Sequence, residues 1–226
     1  MFKDEILQFS NVKSKIYFSL INYDRNKDIL QEIPHRKFLD LAVTYKVLGK
    51  VGMRGILSAN VNNSLLEVWN TTEEELYNLA KENTPKLFNF MSCNIIDVIK
   101  ESEDIIEDLY EGEVPDFLPD ENIMIAATNE LNHLGSHVLL YQDYLRKILR
   151  ENNVTKAYIL PSSIHEIILL LDELGKKPVN VFNLIGIVSE VNKNVVNERE
   201  FLSDSVYEIS LTDDISISPS SEMWKR

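Results

Sequence analysis

Residues 36 to 50, RKFLDLAVTYKVLGK, decide the fold of the N-terminal half because their apolar side chains recur at every second position after Asp40. That alternation is typical of a β-strand with one buried face, and a helix would need a spacing of three to four. Gly49 and Gly52 then bracket a turn, and GILSA from residue 55 is predicted as the return strand. The alternating residues are Leu41, Val43, Tyr45 and Val47.

The segments on either side of this strand pair have helical spacing. Residues 3 to 31 predict an N-terminal helical segment that Pro34 closes. TTEEELYNLAKEN, which follows the strands, predicts a helix that ends at Pro85. Thr71 with Glu74 three residues later forms a capping-box pattern, so we predict Thr71 as the N-cap.

The middle of the chain is strongly acidic. The segment from 97 to 121 contains one base, Lys100, and accounts for most of the net charge of −13. Its apolar residues fall on one side of a helix, so residues 94 to 111 predict an acidic amphipathic helix that joins two halves. The acids are Asp97, Glu101, Glu103, Asp104, Glu107, Asp108, Glu111, Glu113, Asp116, Asp120 and Glu121.

The second half is predicted to repeat the order of the first. Strands are predicted over 122–129 and 136–141, then a helix over 142–152, a strand pair over 156–171, a helix over 180–196 and a short strand over 204–210. We therefore predict an α+β fold with mixed or antiparallel sheets, built from two similar strand-strand-helix halves, 32–92 and 122–212. We expect one domain, 1–212, and a mobile tail, 213–226.

Composition limits the compartment and the classes of partner. The single cysteine, Cys93, allows no intramolecular disulfide, and no apolar run reaches the roughly 18 residues of a membrane span. We expect a cytoplasmic protein without membrane contact. Direct binding to nucleic acid is disfavoured, since that binding depends on clustered lysine and arginine.

The stretch ILPSSIHEIILL, residues 159 to 170, raises the question of a hydrolase site. Pro161 favours a turn that contains Ser162 and Ser163. Strand alternation after the turn would put His165 and Glu166 on opposite faces, so they could not act as a pair. We therefore predict His165 as a core histidine whose replacement by alanine costs roughly 2 to 4 kcal/mol.

The sequence gives little indication of a metal site or of a nucleotide-binding or hydrolase motif. His133 and His137 are predicted as surface turn residues, because two imidazoles without a third ligand make a poor metal site. Motifs of the types GxxxxGK[ST], GxGxxG and GxSxG do not occur in the chain. We predict no metal and no cofactor.

Four ordered motifs give the chain a resemblance to a known family. They are PHRKFLDLAVTYKV (34 to 47), WNTTEEELYNLAKENTPKLF (69 to 88), ILPSSIHEIILL (159 to 170) and LSDSVYEI (202 to 209). With them the chain resembles a bacterial family of unknown function and, more distantly, YtpQ-like proteins. The resemblance implies no activity. It implies that other members extend further at the N-terminus, so that this chain is a short member or a fragment.

The sequence favours a non-enzymatic binding or interaction module, with a protein or a small ligand as partner. We expect the binding groove to be formed by polar residues at the ends of elements: His35, Asn83, Thr84, Ser162, Ser163, His165 and Glu166. One alternative is a hydrolase that uses the region of Ser163 and His165. A third is an acidic mimic of nucleic acid that acts on a protein partner.

Overall fold

The structure is a computed structural model that describes residues 5–52, 55–95, 123–161, 163–172, 179–211 and 216–218. The chain divides into two compact units, Met1–Phe90 and Met91–Arg226. Helices and two antiparallel sheets are both present, so the predicted α+β class is confirmed. The single domain over 1–212 stays a prediction. The predicted acidic helix over 94–111 lies, from residue 96 onward, outside the described residues.

Within residues 5–52 and 55–90, the first unit contains short helices, four strands and one long helix. Its elements are α1 Phe9–Val12, β1 Ile16–Asn22, α2 Lys27–Leu30, β2 His35–Phe38, β3 Leu41–Gly52, β4 Gly55–Asn60, α3 Asn63–Trp69 and α4 Glu73–Leu87. Short 3-10 helices, Lys13–Lys15 and Asp24–Asn26, precede β1 and α2.

The second unit contains the other sheet. Its elements are β5 Phe90–Asn94, β6 Met124–Asn129, a 3-10 helix Gly135–Leu140, α5 Gln142–Glu151, β7 Lys156–Leu160, β8 Ile167–Leu171, α6 Val181–Asn194, β9 Val206–Ser210 and β10 Ser216–Ser218. Strand β5 begins at the last residue of the first unit.

Strand β3 organises the first sheet, because β1, β2 and β4 all pair with it in antiparallel register. The helix predicted over residues 3 to 31 is therefore wrong for Ile16–Asn22, which is a strand. Both faces of β1 are buried, so its apolar residues do not alternate, and the spacing of Val12, Ile16 and Leu20 imitates a helix.

Helix α4 begins one residue later than predicted. Thr72 is the N-cap and its hydroxyl accepts a hydrogen bond from the Glu75 N–H at 3.2 Å. The prediction of Thr71 as N-cap is wrong; the Thr71 hydroxyl instead donates to the Glu75 carboxylate at 2.6 Å. Thr71 and Thr72 each have a glutamate three residues on, so the sequence pattern fits both.

A charged network attaches α4 to the first sheet. The Arg36 guanidinium donates to Glu73 at 2.8 Å and to Glu74 at 2.6 Å. The Tyr45 hydroxyl also donates to Glu73, and burial together with this bond raises the pKa of Tyr45. Two motifs of the sequence, PHRKF and TTEEEL, therefore meet in one set of hydrogen bonds that orients the helix.

The second sheet has the order β10-β9-β7-β8-β6-β5, with helical segments against it. One face carries Tyr158, Leu160 and Leu170, which pack with Leu184 and Val188 of α6. The 3-10 helix 135–140 contacts β6 and β8, and α5 contacts β9. Residues 216–218 pair with β9, so this part of the predicted mobile tail belongs to the sheet.

The strand predicted over 136–141 is wrong, because residues 136–140 belong to the 3-10 helix and Tyr141 is its C-cap. This helix follows Leu134, whose φ of 54° is in the left-handed region. A Cβ on Gly135 would lie 2.1 Å from Thr128 Oγ1 and 2.5 Å from the His165 carbonyl oxygen. Only glycine fits at position 135, because any side chain there would clash with these atoms.

Candidate binding site

A small pocket lies in the first unit, beside the face of β1 and β3 that carries Ser19 and Thr44. It has a volume of about 120 Å³. Its polar lining includes Ser19, Thr44, Lys46 and Asn60, and its apolar lining includes Ile21, Ile29, Ile33 and Tyr45. The pocket is thus a mixed site, with one positive charge and a hydrocarbon wall.

Lys46 is the charged residue of this pocket. Its ammonium donates to the Asn60 side-chain oxygen at 2.5 Å, and burial lowers its pKa from the ordinary value of 10.5. Among the described residues, no carboxylate lies within ion-pair distance of Lys46. Lys46 as a residue is half-buried, whereas its bond to Asn60 lies at the surface. The ammonium is therefore only partly desolvated, and an anion in the pocket would be stabilised by it.

Two hydroxyls lie beside the ammonium in the sheet register. Ser19 and Thr44 are paired across β1 and β3, and they are 1% and 5% exposed. The Thr44 hydroxyl donates to the Ser19 carbonyl at 3.1 Å. The Ser19 hydroxyl has no hydrogen-bond partner in the part of the chain that the structure describes. A buried hydroxyl in this state can donate a bond to a ligand without losing one to the protein.

The sequence could have indicated half of this site. Thr44 and Lys46 lie on the face of β3 opposite its alternating apolar residues. Two polar residues that share one face of a buried strand are a signal of a polar cavity. Ser19 could not be found this way, because residues 3 to 31 were predicted as a helix. The face that joins Ser19 to Thr44 exists only once β1 is a strand.

Of the predicted site residues in the first unit, His35 lies nearest in register to the pocket. It pairs with Thr44 across β2 and β3. Its Nδ1 is 3.0 Å from the Ile33 carbonyl, which can only accept, so Nδ1 carries the proton. His35 does not line the pocket; it holds the main chain of Ile33, which does.

Asn83 and Thr84, two further predicted site residues, form hydrogen bonds with backbone groups. The Thr84 hydroxyl accepts from the Phe18 N–H at 3.1 Å and donates to the Ala80 carbonyl at 2.7 Å. The Asn83 amide donates to the carbonyls of Ile16 at 3.1 Å and Lys13 at 2.8 Å. Both side chains therefore satisfy backbone groups along the outer edge of β1.

Ser163, His165 and Glu166 belong to the second unit, and Ser162 lies outside the described residues. Strand β8 begins at Ile167, so the prediction that His165 and Glu166 stand on its two faces is wrong. Both are half-buried residues in the turn before the strand. Whether the seven predicted residues form one groove stays a prediction.

The geometry of this turn does not make Ser163 and His165 a nucleophile and its base. The Ser163 hydroxyl accepts from the His165 backbone N–H at 3.0 Å. The imidazole Nδ1 accepts from the Leu134 N–H at 3.2 Å, so its proton is on Nε2, which lies 3.6 Å from a Glu200 oxygen. A base must accept the proton of the serine, and the accepting nitrogen is already occupied.

Replacing His165 tests this structural role. The His165 side chain is 23% exposed, so its prediction as a core histidine is wrong. We therefore expect His165→Ala to cost about 1 kcal/mol instead of 2 to 4, mainly through the unpaired N–H of buried Leu134. His165→Asn should lose less, because its side-chain oxygen can accept the same bond. Urea unfolding of both variants measures the difference. Equal losses in the two would contradict the assignment of Nδ1 as the acceptor.

The remaining histidines do not extend this cluster to a metal site. The His133 ring lies 5.3 Å from that of His165, and it is half-buried. His137 is 0% exposed, so its prediction as a surface residue is wrong; it is in the buried 3-10 helix. The described residues contain no group of three or more histidine, cysteine, aspartate or glutamate side chains that could hold a metal ion.

Comparison with known proteins gives a family but no activity. The model of a family of unknown function matches residues 1 to 210. No curated protein and no solved structure matches the chain. The more distant relation to YtpQ-like proteins stays a prediction.

Proposed function

The chain belongs to DUF5688, a family of unknown function, and we propose that it is a non-enzymatic module that binds a small ligand in the pocket of its first unit. One observation carries the proposal: the buried Ser19 hydroxyl and the half-buried Lys46 ammonium both line a pocket. A ligand in the pocket can accept hydrogen bonds from both groups without displacing a bond that either side chain makes within the protein.

Binding without reaction is favoured over catalysis by the partners of these groups. Lys46 donates to an uncharged amide, and the neighbouring Thr44 hydroxyl donates to a main-chain carbonyl. Neither contact supplies a base that could activate a nucleophile. The hydrolase alternative loses its support in the turn of Ser163 and His165, where the imidazole nitrogen that could accept a proton is engaged by Leu134.

We also propose a cytoplasmic location. Its support is the use of cysteine: Cys93 is the single cysteine of the chain, and its side chain is exposed as a thiol. An exposed thiol is typical of a reducing compartment. None of the described helices has both the length and the apolar composition that crossing a membrane requires.

Blocking the mouth of the pocket tests the proposal. Ile29 lines the pocket and is 43% exposed, so Ile29→Trp should place a large ring at the opening with little effect on folding. Val68→Trp is the matched control, because Val68 is 58% exposed on α3 and does not line the pocket.

The measurement is a ligand-observed NMR screen of small polar and charged molecules against the full chain. We expect ligands of the parent protein to be lost in Ile29→Trp and retained in Val68→Trp. Ligands that bind both variants equally, or the absence of any ligand for the parent protein, would show that the pocket is not a binding site.

A further inference from the structure

We infer that the pocket takes a small aliphatic monocarboxylate, with the carboxylate between Lys46 and Ser19 and the aliphatic part against the three isoleucines. This inference rests on the proposed function, since it names the class of ligand for the same pocket. Three properties of the lining carry it: its charge, its surplus of donors and its apolar wall.

The charge favours one negative group on the ligand. Lys46 is the single cationic side chain in the lining, and no acidic side chain lines the pocket with it. A dianion such as phosphate is commonly bound by several cations or by a row of backbone N–H groups. One ammonium is matched in charge by one carboxylate.

The hydrogen-bonding groups of the pocket lining favour a ligand that accepts hydrogen bonds. An ammonium has three N–H donors, and Lys46 uses one of them on Asn60. The buried Ser19 hydroxyl has its proton available, since the bond from Thr44 goes to the Ser19 carbonyl and leaves this hydroxyl unused. A carboxylate accepts through both oxygens and donates nothing, so it fits these donors better than an alcohol or an amide.

The volume of the pocket and its apolar lining limit the size and shape of the aliphatic part of the ligand. The volume is about 120 Å³, and a cavity of roughly 150 Å³ holds benzene, so five or six non-hydrogen atoms fill the pocket. Ile21 and Ile33 are partly buried, and Ile29 stands more exposed. A short branched chain next to the carboxylate would cover these side chains.

Isobutyrate and isobutyramide are matched probes, since they share shape and differ in charge. We expect isobutyrate to bind the full chain with a Kd on the order of 1 mM or tighter. Isobutyramide should bind about tenfold more weakly, because a charge-assisted bond is exchanged for a neutral one. Calorimetric or NMR titration at neutral pH measures both.

A pair of lysine variants checks the position of the carboxylate. Lys46→Met keeps the length of the side chain and should remove the preference for isobutyrate. Lys37→Met is the control, because Lys37 is an exposed lysine of the same sheet, over the Tyr23 ring and outside the pocket lining. The comparison of the two probes on the parent protein stands even where a variant fails to fold.

The outcomes separate the inference from the proposed function. If isobutyrate and isobutyramide bind with equal affinity and Ile29→Trp blocks both, the ligand class is not a carboxylate. The pocket would still be a binding site. Tighter binding of inorganic phosphate than of isobutyrate would also overturn it. If neither small probe binds and the wider screen finds no ligand, the proposed function fails as well.

Discussion

Gly135→Ala is expected to lower the free energy of unfolding by about 3 kcal/mol, the largest loss expected from any single substitution considered for this chain. The added methyl would lie 2.1 Å from Thr128 Oγ1, 2.5 Å from the His165 carbonyl oxygen and 2.9 Å from the Asn129 amide nitrogen. Two of these three atoms are main chain and cannot turn away as a flexible side chain does. The Thr128 hydroxyl could rotate only by giving up its 2.8 Å bond to the same carbonyl.

Gly186→Ala is the matched control for that result. Gly186 is inside α6, and a Cβ there would meet nothing within 4 Å. Alanine in a helix interior is favoured over glycine by about 1 kcal/mol, so this variant should be slightly more stable than the parent protein. Thermal and urea unfolding of both proteins give the comparison. A Gly135→Ala protein as stable as the parent would show that the backbone of this turn is not packed as described.

Thr84→Val should cost about 2 kcal/mol, although the two side chains have nearly the same volume. Thr84 is 0% exposed, and its hydroxyl is the acceptor for the Phe18 N–H on the outer edge of β1. Valine would remove this acceptor from the Phe18 N–H, while its methyl groups fill the same space. The loss comes from the missing acceptor, since no cavity is created.

Thr84→Ser distinguishes the contribution of the hydroxyl to stability from that of the methyl group. Serine keeps the acceptor and should lose about 1 kcal/mol or less through the missing methyl. Amide hydrogen exchange gives a second measurement, because exchange at Phe18 should be faster in the valine variant than in the serine variant. If valine proves as stable as serine and Phe18 stays equally protected, the Thr84 hydroxyl does not satisfy the strand edge.

The elements that the sequence predicts well are those whose apolar residues keep a regular spacing along the chain. Helix Gln142–Glu151 has a clear apolar stripe, and the alternation after Asp40 gives β3 in the right place. Strand β1 shows the opposite case. Its residues are buried on both sides, so the property that distinguishes strand from helix is missing from IYFSLIN.

The residues of the candidate site could be predicted only in part, for two physical reasons. Asn83 and Thr84 look like polar residues near a helix end, but they bond backbone groups of β1 and of the 3-10 helix before it, 66 to 70 positions earlier in the chain. Such long-range pairing has no local pattern. Lys46 was visible as a polar residue in a strand, yet its lowered pKa comes from burial that the folded unit creates.

Because β1, β2 and β4 all pair with β3, the lengths of the connecting segments predict the order in which the first sheet forms. Strand β3 meets β2 across two intervening residues and β4 across another two, so both hairpins need only local chain closure. Hairpins of this kind form in about 1 to 10 μs. The 18 residues between Asn22 and Leu41 close a longer loop, so β1 should dock afterwards. The first unit then has a nucleus in β2–β3–β4, and its pocket comes into existence with the last strand.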